Sequence, residues 1–422
     1  MLKLFHKKSK TSGSQTSAWA LFSNPEFSRL WCIGALSNTT RWLELLAIGV
    51  FVFDLTGSAF DVAMMTLLRI VPFALFGLVT GALTQHFPYR SILRIGVSLM
   101  VSVTLILGTL SMLGLIQLWH IAIGTFLSGT FWVVDFTVRR TSIGESVQQR
   151  FVGQAMGLDA LTNNGTRILG PAMAGLLLQW LGLTGVYLLS GVAYVGALLF
   201  TASLSSIKVK TVTIGMNIRA SIVGARDVLT NHPPLTGLLI STLVLNLWGL
   251  PFVSMIPVIG RDVLSLNPFY VGLLMSAEGC GALIGALLIT SIRQQKYYRR
   301  FFVIGIFLYL GIIVAFSQSR FLPYSVGCLF VVGIGVAILA TMQSSLVILI
   351  SPKHARGLIM GILSMCIGLG APIGLIHIGL MADWVGPPQA IAILACEGIL
   401  AFVLVIRRWP SLWHLQIFPT SK

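Results

Sequence analysis

Only 12 of the 422 residues are acidic. Five of them, Glu44, Asp135, Asp159, Glu278 and Glu397, stand inside long apolar runs, as do Arg41, Arg69 and Arg167. Ionisable groups are expensive in such surroundings, which makes them the first residues to ask for chemistry. A carboxylate there can take up and release a proton, or it can neutralise a cation. An arginine keeps its charge and can anchor a carboxylate or hold an anionic ligand.

The spacings separate these uses. Arg41 and Glu44 are three apart and share a helix face. They form either a tuned, protonatable carboxylate or a structural ion pair. Asp135 and Arg139 are four apart, the spacing of an intrahelical pair. Asp159 and Arg167 are eight apart, about two turns, so Arg167 either anchors Asp159 or contacts an anionic group. Arg69 precedes Pro72 and is expected to meet a carboxylate on another helix or to organise a kink. Glu278 sits among small residues, Ser276 to Gly281, which permit close helix packing. Glu44, Glu278, Asp159 and Asp135 are therefore the candidate proton sites. Glu397 reads as a structural or oligomer-contact group, and His377 as a hydrogen-bonded packing histidine.

Other chemistries find no residues. No nucleotide-binding GxxxxGK[ST], no HExxH and no Ser-His-Asp set stands out in the chain. The five cysteines lie in apolar stretches without CxxC spacing, and are expected to be small buried hydrophobes. No metal and no cofactor is expected, and energy must come from a gradient or a partner.

The elements that position these groups follow from composition. Hydrophobic residues make up 56% of the chain and charged residues 9%, with a mean hydropathy of +0.90. That excludes a soluble enzyme. Apolar runs recur at 30–53, 62–85, 92–114, 118–138, 155–180, 184–203, 235–258, 270–292, 301–317, 322–350, 358–381 and 389–406. They predict an all-α integral membrane protein with twelve transmembrane helices, since a lipid-exposed backbone must satisfy its own hydrogen bonds. The run 322–350 is too long for one crossing, and its C-terminal end is expected to leave as a loop.

Charge gives the orientation. Of the 28 Lys and Arg, 23 fall on one side, in the two tails, in loops or, for Arg94, at the loop end of a run; Arg261 and Arg320 alone fall on the other, and three lie deep within runs. This is a positive-inside pattern, placing both termini in the cytoplasm of a multi-pass plasma-membrane protein, the bacterial inner membrane. It also accounts for the net charge of +16 without nucleic acid. The boundaries are then an N-tail at 1–29, a first half at 30–203, a linker at 204–234, a second half at 235–406 and a C-tail at 407–422. Within the linker, 217–230 could lie as a surface helix at the headgroups.

The halves repeat. Met156-Gly157 followed by Gly170-Pro171 and Gly175 is matched by Met360-Gly361 followed by Ala371-Pro372 and Gly374, with Arg150 and Arg356 before them. Parallel six-helix repeats point to a transporter with its site between them and hinges at Gly170, Pro171, Ala371 and Pro372.

Specific blocks carry a family pattern: Phe27-Ser28-Arg29-Leu30-Trp31, Ser37 to Trp42 including Asn38, Leu55-Thr56-Gly57-Ser58, Arg69 with Pro72, Gly81 to Arg90, and Arg356-Gly357 to Ala382-Asp383. In order and spacing the chain resembles the major facilitator superfamily, in the branch of enterobactin-exporter-like and macrolide- or multidrug-efflux-like proteins. The resemblance covers essentially the whole chain. It implies a gating loop at Gly81, Gln85 and Arg90, although the family's acid stands here as Gln85 and its following arginine as His86. Where the branch often has Gly-Asp-Trp, this chain has Thr40-Arg41-Trp42.

The resemblance also implies that spans one, four, seven and ten line a cavity. Their candidate substrate contacts or charge partners are Arg41, Asn38, Trp132, Asn246, Trp248 and Gln343, beside Arg69 and Arg167. The expected function is proton-coupled export of a small amphipathic organic molecule, siderophore or drug-like, by a monomer in the lipid bilayer. Uptake by symport in the same fold is the alternative. A membrane-embedded transferase is a distant third.

Overall fold

The computed structural model describes residues 18–148, 151–204, 230–290, 298–351 and 356–412. All regular elements among them are helical. After a short turn at Ala18–Ser23 come α1 (Pro25–Thr56), α2 (Ala59–His86) and α3 (Tyr89–Met112). Next are α4 (Leu118–Ser146), α5 (Val152–Ala202) and α6 (Pro233–Val263). The rest are α7 (Pro268–Thr290), α8 (Tyr298–Ser317), α9 (Leu322–Ile350), α10 (Arg356–Val385) and α11 (Pro387–Arg408).

Ten of these, α2 to α11, are long and apolar enough to cross a membrane. α1 stands outside that set, its 32 residues carrying Arg41 and Glu44 near the middle. α5 is two helices back to back. Gly182 turns the chain between them at φ 62° and ψ −162°, a backbone conformation open to glycine. Its two arms correspond to the expected runs 155–180 and 184–203.

Local chemistry sets the ends. α1 begins at Pro25, five residues before the apolar run. The Asn24 side chain accepts from the N–H groups of Glu26 (3.0 Å) and Phe27 (3.4 Å), and Pro25 suits the first helical position. Gly57 closes α1 at φ 67°, its N–H reaching the Phe53 carbonyl at 2.8 Å. α9 remains helical to Ile350, where a loop was expected; no Gly or Pro interrupts 341–350, and the first breaker is Pro352. α4 widens into a π-helical turn at Asp135–Arg139. α6 passes through π-helical and 3-10 turns between Leu245 and Val263, around Pro251 and Pro257.

Among the helices before the linker, α1 and α3 pack on α5, and α2 on α4. After it, α7 and α8 pack on α9, α8 and α10 on α11, and α10 on α6. The two groups meet mainly along α5–α7 and α2–α10. Large apolar side chains point outward along the bundle, including Ile95, Leu199 and Leu400, each about two-thirds exposed or more. Exposed Trp119, Trp180 and Trp384 stand at the end of the bundle where α1 finishes, as an interfacial aromatic belt requires. We call that end the far face, and the end where α1 starts the near face.

All five cysteines are free. Only Cys328 is buried and Cys396 is exposed, so the expectation of five buried hydrophobes is corrected: most face other helices partly and the outer surface partly. The expected surface helix at 217–230 lies outside the described residues but for its last residue, and the surroundings of Gly81 and the side chain of Gln85 likewise lie outside them.

Candidate functional site

Midway along the α5–α7 contact, Arg167 donates to Glu278 through both Nε (2.8 Å) and Nη2. Both side chains are largely withdrawn from the surface, at 17% and 6% exposure. The bond is bidentate, fork to carboxylate. The helices come close enough to make it because their contact is lined with small residues. A Cβ on Gly279 would lie 2.9 Å from the Arg167 carbonyl oxygen, and one on Gly272 would overlap the Pro171 carbonyl. Ser276 Oγ donates to the Ile168 carbonyl at 2.7 Å across the same seam. Arg167 therefore turns to Glu278 on the other helix group, not to Asp159, which lies two turns away along α5.

Beside this pair runs a layer of guanidinium and indole groups. Arg41 lies 4.7 Å from the Trp132 ring centre and 5.1 Å from that of Trp42. Arg167 also sits 5.1 Å from the centre of the Trp42 ring. Arg41 Nη2 also donates to Asn163 Oδ1, and Phe73 stacks edge-on against Trp132 at 4.6 Å. Arg41, Trp42, Trp132, Asn163 and Arg167 are all half-buried. Arg41 stands at the middle of α1, where facing hydrocarbon would be prohibitively costly.

Glu44 turns away from Arg41 into a second site. It is 3% exposed and accepts from Ser128 Oγ at 3.4 Å. Arg69 is the cation acting on it, but Arg69 Nη1 is committed to the Arg41 carbonyl at 3.0 Å. Glu44 Oε1, Arg69 Nη2 and Thr125 Oγ1 are buried without a hydrogen-bond partner. Arg69 and Thr125 also border a small, mostly apolar cavity lined by Leu45, Ile48, Gly49, Val62, Met65 and Thr66, and Glu44 is not part of that lining. A buried carboxylate with one oxygen left without a donor is a group that can take up a proton.

Asp135 and Asp159 belong to a third cluster, towards the near face. Arg139, 2% exposed, donates to Asp135 at 2.8 Å and to Asp159 at 2.5 Å, and Arg140 adds a 3.0 Å bond to Asp159. Gly34 leaves the room for this guanidinium, which a Cβ there would overlap. Both acids are held as acceptors by cations, an arrangement that ties α4 to α5.

Most of the remaining candidates are engaged with neighbours in their own helix group; Pro171, on the seam, is the exception. Asn246 Nδ2 donates to the Thr242 carbonyl at 2.9 Å, and Gln343 Nε2 to Thr242 Oγ1 at 2.5 Å. Trp248 Nε1 donates to Glu397 at 2.9 Å, and His377 lies 3.7 Å from the same carboxylate. Asn38 is buried in α1. Arg90 donates to the Ala202 carbonyl at 2.5 Å on the near face. Gly170 packs on Trp42, and Pro171 on Gly272. Pro372 lies within unbroken α10, next to buried Ala371. Among the described residues no group of His, Cys, Asp and Glu could hold a metal ion.

Sequence reasoning passed over the far face. There Arg261 on α6 holds Asp54 on α1 through Nε (2.7 Å) and Nη2 (3.0 Å). Asp383, at the end of α10, accepts from the Phe60 N–H at 3.2 Å and from Ser58 Oγ at 3.4 Å, capping the start of α2. A signal was present: Arg261 is one of two basic residues on that side, and Asp54 lies just past the first apolar run.

A helical bundle of this topology, with ionisable groups at its centre and an ion pair joining its two helix groups, defines a membrane transporter rather than an enzyme. The chain belongs to the family of transmembrane secretion effectors within the major facilitator superfamily, whose pattern matches residues 16–413. It is 28% identical over 269 residues to a multi-drug resistance efflux pump PmrA homolog of Lactococcus lactis, covering 61% of this chain and 62% of that one. It is 22% identical over 365 residues to the staphyloferrin A transporter of Staphylococcus aureus, covering 85% and 90%. In structure it is similar to a bacterial homolog of the lysosomal transporter Spinster in an inward-facing, unoccupied conformation. The TM-score is 0.73 with 13% identity, over 95% of this chain and 99% of that one.

Proposed function

We propose that this transporter is a proton-coupled exporter of a small amphipathic organic molecule, working as a single chain by alternating access of two six-helix halves, 30–203 and 235–406. The near face is the cytoplasmic face of the plasma membrane and carries both termini, a reading supported by the 23 basic residues on that side against two on the other. The observation that carries the proposal is the Arg167–Glu278 ion pair across the seam. Rocking one half against the other must open that pair, and a released Glu278 is free to take a proton. Glu44, buried with one carboxylate oxygen unpartnered, is the second proton site.

The far-face contacts, Asp54 with Arg261 and Asp383 with the start of α2, support a state shut towards the outside. One proton moving inward is worth ~2.3 kcal/mol per 100 mV of membrane potential, enough to drive export. The relatives named for multidrug efflux and for staphyloferrin A support a drug-like or siderophore-like substrate.

The test is a deletion strain and its complement, with medium and cell extract profiled by mass spectrometry in iron-poor and iron-rich growth. A metabolite that builds up in deleted cells and disappears from their medium is the expected result. A metabolite lost from deleted cells would instead mean uptake.

A further inference from the structure

We infer that the transported molecule is an anion: a carboxylate- or other oxyanion-bearing compound with a flat apolar body, held by Arg167 and Arg41 against Trp42 and Trp132 and displacing Glu278 from Arg167. The inference rests on the transport reading above and names its substrate class.

The half-buried layer at the centre of the bundle contains two guanidinium groups but one carboxylate, Glu278, and that one is taken up by Arg167. Arg41 makes no direct ion pair among the described residues, and Asp135 acts on it only from a distance; its contacts are the neutral amide of Asn163 and the rings of Trp42 and Trp132. The indole Nε1–H groups of Trp42 and Trp132 are buried and also lack an acceptor. Arginine and tryptophan side chains can only donate. The layer therefore presents unfilled donors and a guanidinium with no carboxylate in contact, which an acceptor-rich anion satisfies and a cation does not.

The geometry adds two points. Arg167 already grips a carboxylate with its fork, the mode that would receive a ligand carboxylate in place of Glu278. Both guanidiniums lie 5.1 Å from the Trp42 ring centre, and Phe73 packs edge-on against Trp132, so a flat body can stack on this aromatic surface while its charge is held.

The experiment uses the full chain in lipid nanodiscs and two xanthene dyes of similar size, fluorescein as the anion and rhodamine 123 as the cation, followed by fluorescence polarisation. Fluorescein is expected to bind ~10-fold or more tightly than rhodamine 123. Arg167→Gln and Arg41→Gln should each weaken fluorescein ~10-fold or more without weakening rhodamine 123. Glu278→Gln should tighten fluorescein by removing its competitor. Arg167→Lys keeps the charge opposite Glu278 and serves if the glutamine variant does not fold; it should still weaken fluorescein by losing the fork.

Tighter binding of rhodamine 123, or fluorescein binding indifferent to both arginines, would overturn the inference. Export of a metabolite together with a preference for rhodamine 123 would sink the charge assignment alone. Arginine-dependent fluorescein binding with no exported metabolite would sink the export reading alone.

Discussion

Gly272→Ala should force open the seam between α5 and α7. A Cβ at this position would overlap the Pro171 carbonyl oxygen and lie 3.2 Å from its carbon and 3.3 Å from the Cα of Gly175. These are backbone atoms and cannot swing aside. Restoring ordinary contact of ~3.5 Å requires the helices to part by roughly 1 Å, which forfeits a large part of the attraction along the seam. Overpacking of this kind costs about 1–3 kcal/mol, equivalent to a ~5- to 150-fold shift between two conformations.

The state with the far face shut should lose population by that factor. Spin labels on the far-face ends of α1 and α6, read by pulsed electron spin resonance in nanodiscs, would report it as a longer distance. Gly157→Ala and Gly165→Ala, also on α5 but with nothing within 4 Å of the added Cβ, are the controls and should leave the distances alone. If Gly272→Ala gives the same distance distribution as Gly165→Ala, the tight seam does not hold the far face shut and the reasoning fails.

Other perturbations separate the three charge clusters. Arg139→Gln removes the common partner of Asp135 and Asp159 and should destabilise the fold by about 3–5 kcal/mol in thermal or denaturant unfolding; adding Asp135→Asn should recover part of the loss. Asp54→Asn breaks a partly exposed pair, so its effect should stay within ~1 kcal/mol, seen as a modest opening of the far face that high salt imitates. Glu278→Gln and Glu44→Gln should each abolish the dependence of transport on a pH gradient while counterflow of substrate persists; wild-type pH coupling in both variants would remove these residues from the proton path. Asn24→Ala should cost about 0.5–2 kcal/mol through the lost cap of α1, measured as a lower unfolding midpoint.

The helices were legible because lipid leaves the backbone little choice. Apolar runs of about twenty residues marked α2 to α11, and even the break at Gly182 fell between two runs. The start of α1 was written in Asn24-Pro25-Glu26, a capping signal that an apolar-run reading passes over because it ignores polar residues. At the centre, Arg41, Glu44, Arg167 and Glu278 could each be singled out by the cost of burying charge. Their partners could not. Spacing along one helix offers Arg41 to Glu44 and Arg167 to Asp159, whereas packing gives Arg41 to Asn163 and two indoles, and Arg167 to Glu278 on α7. Pairs 111 and 207 positions apart, such as Arg167 with Glu278 and Arg261 with Asp54, depend on how whole helices dock, and no local pattern encodes that.

The central claim, that the far face must open and shut for transport, is tested most directly by tying it shut. Asp54→Cys and Arg261→Cys, in a background with the five native cysteines replaced by serine, can be joined by a short bifunctional thiol reagent with a reducible link. Efflux of fluorescein from cells or proteoliposomes is then followed before and after linking. Efflux should stop on linking and return when the link is reduced. Undiminished efflux from fully linked protein would contradict it.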